Sequence, residues 1–372
     1  MRFLWVTWKD WLHPGAGGAE VVLHEIAKRQ VMDGHQVTIL TALYPGSLPE
    51  EDLEGMHIIR LKGSRYIQPF VTLPYYLRHM RGKFDVVIET VNTAPYFTPF
   101  FRGKAKSVLM YHQLARQIWF YETMLPVAAI GFAVLEPVAT FMLGKSPATT
   151  ITVSNSTKAD LQRFGFNPKR MHIISEGIEH TPLQKLDKLS EKFQQPTLFA
   201  HGSMRAMKRM LHQIEAFEIA KRQIPDLKLQ VSGSSSGKYG QKVLQRIKDS
   251  PYAQDITYHG RTTDQQRDEL MRKSHIHLQT ATKEGWGITI TEANSLGTPC
   301  VVYNVDGLRD AVQHGKTGII TNPNPNDMAA GIVHLLQDQK LYVQVRKAAW
   351  QWSKTITFDQ SYKDFNQALE LS

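Results

Sequence analysis

Apolar positions along this chain alternate between short unbroken runs and helical spacing, and the alternation starts twice. Residues 2–7 are nearly all apolar and predict a buried strand. A long turn follows, from Trp8 to Glu20, ending in glycines. Residues 22, 23, 26, 27 and 31 then keep helical spacing, Gly34 closes the helix, and 37–40 predict a second strand. Further strands are predicted at 57–61, 84–89, 107–111, 149–153 and 171–175, with a capped helix opening at Ser154. The stretch 181–196 is polar, lysine-rich and carries two prolines, so it reads as a linker region between domains. At 197–201 the pattern restarts: strand, glycine turn, then a helix with apolar residues at 210, 211, 214, 217 and 220. Strands at 227–231, 256–259, 276–278, 299–303 and 319–320 follow, with helices at 326–336, 340–353 and 359–371. The reading is α/β, with two Rossmann-like doubly wound parallel-sheet domains at 1–180 and 197–355.

Composition changes this picture in three places. The single cysteine, Cys300, excludes an intrachain disulfide framework and fits a reducing cytoplasm. The N-terminus reads as a short strand and not as a signal peptide, because Asp10 follows the brief apolar run at once. The net charge of +10 is concentrated: from Arg60 to Arg116 there are ten Lys/Arg (60, 62, 65, 78, 81, 83, 102, 104, 106, 116) against Asp85 and Glu89. Such a run suits an anionic substrate or an anionic membrane surface. No helix-turn-helix, zinc-finger or RNP pattern accompanies it, so no nucleic-acid partner is expected. Residues 118–143 are strongly apolar but interrupted by Pro126, Glu136 and Pro137, which argues against a transmembrane helix. A helical hairpin, a monotopic membrane-contact face and an acceptor groove all remain open for it, and the membrane face would make the protein peripheral on the inner side of a membrane.

Candidate chemistry gathers where strands meet glycines. Glu284 and Glu292 flank a Gly285-Trp286-Gly287 turn and the apolar start of a helix whose body is predicted from Thr291 to Ser295. A helix N-terminus there would aim the N–H groups of Gly287, Ile288 and Thr289 at a phosphate. Glutamates about 12 Å apart at most along a helical rise could hold a sugar and a ribose on either side of it. An ordinary β–α unit with two solvated glutamates fits the spacing equally. Gly202-Ser203-Met-Arg205-Ala-Met-Lys208-Arg209 is a second glycine turn, with cations at a helix start that suit a diphosphate. Gly17 and Gly18 could line an anion or sugar pocket or form a plain tight turn; they do not spell G-x-G-x-x-G, so no dinucleotide cofactor is implied. His112 stands past the carboxyl end of a strand, where ligands bind in such sheets. No aspartate pair with metal-ligand spacing is apparent, so neither metal nor cofactor is expected.

Taken in order, these segments resemble the retaining glycosyltransferases of the GT-B fold, family 4 (group 1 type). The E-x7-E pair, Val-Ser-Asn-Ser-Thr-Lys-Ala-Asp-Leu at 153–161, Ile-Ser-Glu-Gly-Ile-Glu at 174–179, His-Gly-Arg-Thr at 259–262 and His-Gly-Lys-Thr-Gly at 314–318 carry the resemblance. It implies two domains facing a cleft and a C-terminal helix, 356–372, crossing back to the first. It also implies a nucleotide-sugar donor, UDP- or GDP-hexose, and a sugar or lipid-linked hydroxyl acceptor. Glu284 would hold the sugar hydroxyls, Gly285 to Thr289 the sugar and phosphates, Glu292 the ribose, and Arg261 the base. Lys208 would bind the diphosphate and His112 would face the donor sugar. The family's diphosphate arginine falls on Ser203, which leaves Arg205 or Arg209 as substitutes. A GT-B nucleotide-sugar epimerase and a non-catalytic nucleotide-sugar or polysaccharide-binding protein are the alternatives.

Overall fold

The structure is a computed structural model that describes residues 1–64, 67–178 and 180–370. Arg65 of the basic run and Glu179 of the 174–179 element lie outside the described residues. The chain forms two compact units. The first comprises Met1–Arg116, Leu125–Gly177 and the stretch from Phe358 onward; the second comprises Gln117–Met124 and Ile178–Thr357.

In the first unit eight strands form one sheet: β1 (Arg2–Val6), β2 (Gln36–Ala42), β3 (Glu50–Leu53), β4 (Met56–Leu61), β5 (Val86–Thr90), β6 (Lys106–Tyr111), β7 (Thr149–Thr152) and β8 (Met171–Ile173). Their order is β3-β4-β2-β1-β5-β6-β7-β8, parallel except for the β3–β4 pair. The central strands are buried on both faces, which is why they read as unbroken apolar runs. Alternate residues serve opposite faces. Trp5 stacks on Phe365 of the C-terminal helix Phe358–Glu370 and donates its indole N–H to Gln30. Leu4 and Val6 pack on the other face with Tyr76. Ser361 and Lys106 donate to the carbonyls of Ser175 and Leu369, which ties the C-terminal helix to this unit.

The second unit is a six-stranded, wholly parallel sheet: β9 (Thr197–His201), β10 (Lys228–Ser232), β11 (Ile256–Tyr258), β12 (Ile276–Gln279), β13 (Cys300–Tyr303) and β14 (Gly318–Thr321), in the order β11-β10-β9-β12-β13-β14. One continuous core runs beneath its helices.

The structure revises several expectations. The stretch 181–196 is not a loose linker. Lys192 is buried and its ammonium donates to the carbonyls of Arg272 and Ser274 and to the Thr298 hydroxyl. Asp187 takes both arms of Arg272, and Leu183 pairs with Ser295, so the segment belongs to the second unit. Gln117–Met124, read with the first domain, also belongs to the second unit, where Tyr121 accepts from Arg209 at 3.1 Å.

The 118–143 stretch does not fold as a hairpin. From Leu125 to Gly144 it is one continuous 20-residue helix, apolar and long enough to cross a membrane by length and composition. Pro126 falls in its first turn, where no N–H is missed. Pro137 sits just after a π-turn, Gly131–Leu135, whose wider ladder accommodates the missing donor. Glu136 faces inward and accepts the backbone N–H groups of Ala115 and Arg116 at 2.5 and 2.8 Å.

The basic run is thinner than it reads. Arg60 is buried on Asp10 (2.6 Å) and Glu51 (2.5 Å), Arg102 is turned onto the carbonyls of Gly103 and Ala105, and Arg116 lies over the Phe132 ring at 4.1 Å. Glu89 is buried too, accepting from the N–H of Tyr96 and Thr98. Helices at Gln68–His79, Lys238–Lys248 and Asp264–Lys273 and the short strand β3 were not anticipated; Pro69 and Pro74 masked the first of them.

Candidate active site

The second unit assembles its site at the carboxyl ends of β9 to β12. Three loops there are bonded to one another. Gly202 and Met204 donate to the carbonyls of Ser232 and Ser234, and Gly233 donates to Gly260. The approach is so close that a Cβ on Gly233 would fall 1.9 Å from the Gly202 carbonyl oxygen. From below, Thr280 donates to the carbonyls of Lys208 and Arg209, and Thr282 to that of Met207. The cationic loop is therefore built into the sheet edge.

Lys208 points to Glu284, and its ammonium donates to the Glu284 carboxylate. Both side chains are only partly exposed, at 26% and 15%. Glu284 is placed by its own N–H, which donates to Asp306 at 3.0 Å. Beyond it the chain turns at Gly287, whose φ of 102° lies in the left-handed region that glycine alone adopts readily. The helix Ile288–Ser295 starts there, three residues earlier than the pattern suggested. Ile290 already donates to Gly287, so the amides of Ile288 and Thr289 are the open ones. Gly285 is buried at the turn. The Trp286 indole N–H is buried and has no partner among the described residues. The Gln279 amide fixes the Thr289 hydroxyl at 2.6 Å.

Glu292 is buried on the same helix, with the Arg267 guanidinium 3.8 Å away. Burial opposes the Arg267 charge, but Glu292, Asp268 and Asp264 together raise its pKa above the ordinary value. Arg261 is exposed past the end of β11. Ser203 is exposed, and its carbonyl accepts the Arg205 N–H. Arg205 is half-exposed, 3.8 Å from Glu122. Arg209 is turned towards Tyr121 instead. Of the two substitutes for the missing arginine, Arg205 is thus the more available.

In the first unit His112 lies past β6, and its Nδ1 donates to the Glu176 carboxylate at 2.7 Å. Its Nε2 is buried and has no partner among the described residues. Gly17 and Gly18 open the helix Gly18–Met32, but the Gly17 N–H is already given to Glu20 at 2.7 Å. Any anion at this turn would meet that carboxylate first. Sequence reasoning missed Glu176, Arg267, Gln279 and Thr280. Glu176 had a signal: it follows β8 at the same sheet edge as His112.

Two domains of parallel sheet with a glycine-and-cation loop beside a paired glutamate define the GT-B class, and the comparisons agree. The model for glycosyl transferases group 1 matches residues 184–352, and that for Glycosyltransferase Family 4 matches 16–181. The chain belongs to glycosyltransferase family 4, group 1 type. A D-inositol 3-phosphate glycosyltransferase of Paenarthrobacter aurescens is 23% identical over 98% of both chains. A poly(glycerol-phosphate) alpha-glucosyltransferase of Bacillus subtilis is 27% identical over 56% of this chain, and the match spans 30% of that relative's length. A trehalose phosphorylase of Pleurotus pulmonarius matches over only 11% of its length. Among solved structures, Anabaena HepE in complex with UDP and glucose superposes with a TM-score of 0.77 at 16% identity, over 100% of this chain and 99% of that one. WaaG, a glycosyltransferase involved in lipopolysaccharide biosynthesis, gives 0.72 at 19% identity, over 100% and 99%.

Proposed function

We propose that this chain transfers a hexose from a nucleotide sugar to a hydroxyl acceptor with retention, in the synthesis of a glycan, glycolipid or cell-envelope polysaccharide. The observation that carries this reading is Lys208 on Glu284 at the open N-terminus of Ile288–Ser295. Cation, carboxylate and free amides are the three groups a sugar diphosphate needs, and each is held in place by the loops around it.

In this reading Lys208, Arg205 and the amides of Ile288 and Thr289 take the diphosphate. Glu284 turns to the sugar hydroxyls, Glu292 holds the ribose and Arg261 meets the base. The bond from the anomeric carbon to the diphosphate oxygen breaks, and the electron pair leaves with the phosphate. The acceptor oxygen bonds to the same face, and its proton passes to the departing phosphate. Ser203, Gly285, Trp286 and Gly287 line the donor side in the second unit, and the Gly17–Gly18 turn keeps a separate place in the first. HepE was crystallised with UDP and UDP-glucose, which favours uridine as the base. A role for His112 rests on its carboxylate-held ring and on an Nε2 without a partner among the described residues.

Because side-chain cations stand where the leaving group's charge develops, we propose that turnover needs no divalent metal and survives EDTA. A cytoplasmic location suits the fully buried Cys300, whose thiol burial pushes up and keeps unreactive. The test is nucleoside diphosphate release from a panel of nucleotide sugars, with and without sugar or lipid-linked acceptors. Lys208→Ala and Glu284→Gln should each lower release by at least about tenfold. Variants that match wild type would sink the site assignment, and donor epimerisation without an acceptor would favour the epimerase.

A further inference from the structure

The first unit carries an apolar face that its fold does not cover. On the helix Leu125–Gly144, Val127, Ile130, Val134, Val138 and Phe141 recur at helical spacing, and each is between 49 and 54% exposed. Over that separation the stripe is about 21 Å long. The helix Gln68–His79 adds Phe70, 79% exposed, with Leu73 and Leu77 beside it on one stripe.

Both helices lie on the same face of the sheet. Tyr76 packs with Val6, and Leu143 packs with Leu109. The register pairs Val6 with Glu89 and Glu89 with Leu109, so those side chains share a face. Each helix leads from the carboxyl end of one strand back to the amino end of the next parallel strand. Their last turns therefore meet the amino edge of the sheet together.

That edge is cationic. Arg78 lies in the last turn of the first helix, Arg81 and Lys83 follow it, Lys145 ends the second, and Lys104 enters β6; all are exposed, and none has a carboxylate within salt-bridge distance among the described residues. Arg81 reaches to within 3.8 Å of where a Gly103 side chain would begin, which sets it beside Lys104. Lys145 lies over the Phe141 ring at 5.0 Å, its stem along the stripe and its charge at the end. The two helices hold one acidic residue between them, Glu136, and it is buried on the Ala115 and Arg116 amides.

We propose that this face docks on a bilayer with anionic headgroups, the Leu125–Gly144 helix lying in the interface and not spanning it. An apolar stripe ending in unpaired cations is the two-signal arrangement of monotopic binding. Spanning is opposed by the helix's other side, where Ala128, Gly131, Thr140 and Leu143 are buried in the unit. A second copy of the chain would set cations against cations across a two-fold axis, which disfavours a homodimer. The face is independent of the donor site, so this inference does not rest on the activity proposed above.

The test is flotation of the full chain with vesicles of phosphatidylcholine alone or mixed with phosphatidylglycerol. Donor hydrolysis and melting temperature are read on the same samples. Wild type should float with the anionic vesicles, less so as salt is raised. Ile130→Glu with Val134→Glu, and separately Arg81→Glu with Lys104→Glu, should each cut that partitioning at least tenfold with unchanged melting temperature and hydrolysis. Wild type left at the bottom of the gradient with anionic vesicles overturns the proposal, as do variants that float like wild type. So does a dimer in solution that Ile130→Glu with Val134→Glu converts to monomer.

Discussion

His112 shows how one residue's role depends on a partner. Because Glu176 accepts at Nδ1, that nitrogen carries the proton, and the chemistry of the ring is left to Nε2. Nε2 is buried and has no partner among the described residues, and in the proposed function it is the atom that would serve the substrate. Glu176→Gln keeps the side chain's size and one acceptor but removes the charge that orients and stabilises the ring. The expected result is a kcat lowered about tenfold to a hundredfold, with donor KM little changed, as for the loss of a positioning interaction. A merely structural Glu176 would not give the second expected result: His112→Ala with Glu176→Gln should be no slower than His112→Ala alone, because the carboxylate acts only through the ring. Additive losses in that cycle would separate the two residues.

Among the elements, the Leu125–Gly144 helix tests whether an inward glutamate can hold an exposed apolar helix in place. Glu136→Ala would remove the acceptor of two part-buried backbone N–H groups, at a cost of about 1–3 kcal/mol, which a drop in chemical-denaturation midpoint with unchanged slope would report. An unchanged midpoint would mean the helix is held by its packing alone. The same helix marks the limit of what could be read from sequence. Its prolines looked like interruptions, because a π-turn that makes room for Pro137 is a backbone adjustment without a residue signature. The parallel strands were legible, since burial on both faces leaves a continuous apolar run. Site loops were legible where glycine and lysine sit beside a strand end. Illegible were the contacts made by distant residues: Lys192 reads as a solvated linker lysine until Ser274 and Thr298 are seen around it. Arg60 likewise counts as surface charge until Asp10 is found beside it.

For the whole molecule, the two units have separate cores and should not share one response to acid. The second unit holds three histidines in neutral form on neighbouring strands β9 and β12 and the residue before the latter. Burial pushes His201 and His275 down to about 4 and His277 to about 3, helped by cations near the first two and by His201 near the third. The hydrogen bonds fit the neutral rings: His277 donates to the Phe199 carbonyl and meets the Gln279 amide at its other nitrogen, and His275 accepts the Thr197 N–H. In the unfolded chain these rings titrate near 6.5. Between that value and about 4 the unfolded state binds more protons than the folded one, so stability rises with pH and is lost as pH falls through this window. The loss approaches about 1.4 kcal/mol per ring per pH unit inside the window, or about 4 kcal/mol per unit for three. Calorimetry from pH 7 to pH 5 should therefore show a melting transition of the second unit moving steeply downward. His277→Gln should make the shift shallower, and UDP should oppose it, since a ligand bound to the folded state adds stability by mass action. A single transition that stays put down to pH 5 would show that the buried rings accept protons without cost. UDP acting with equal strength on every transition would place its site outside the second unit.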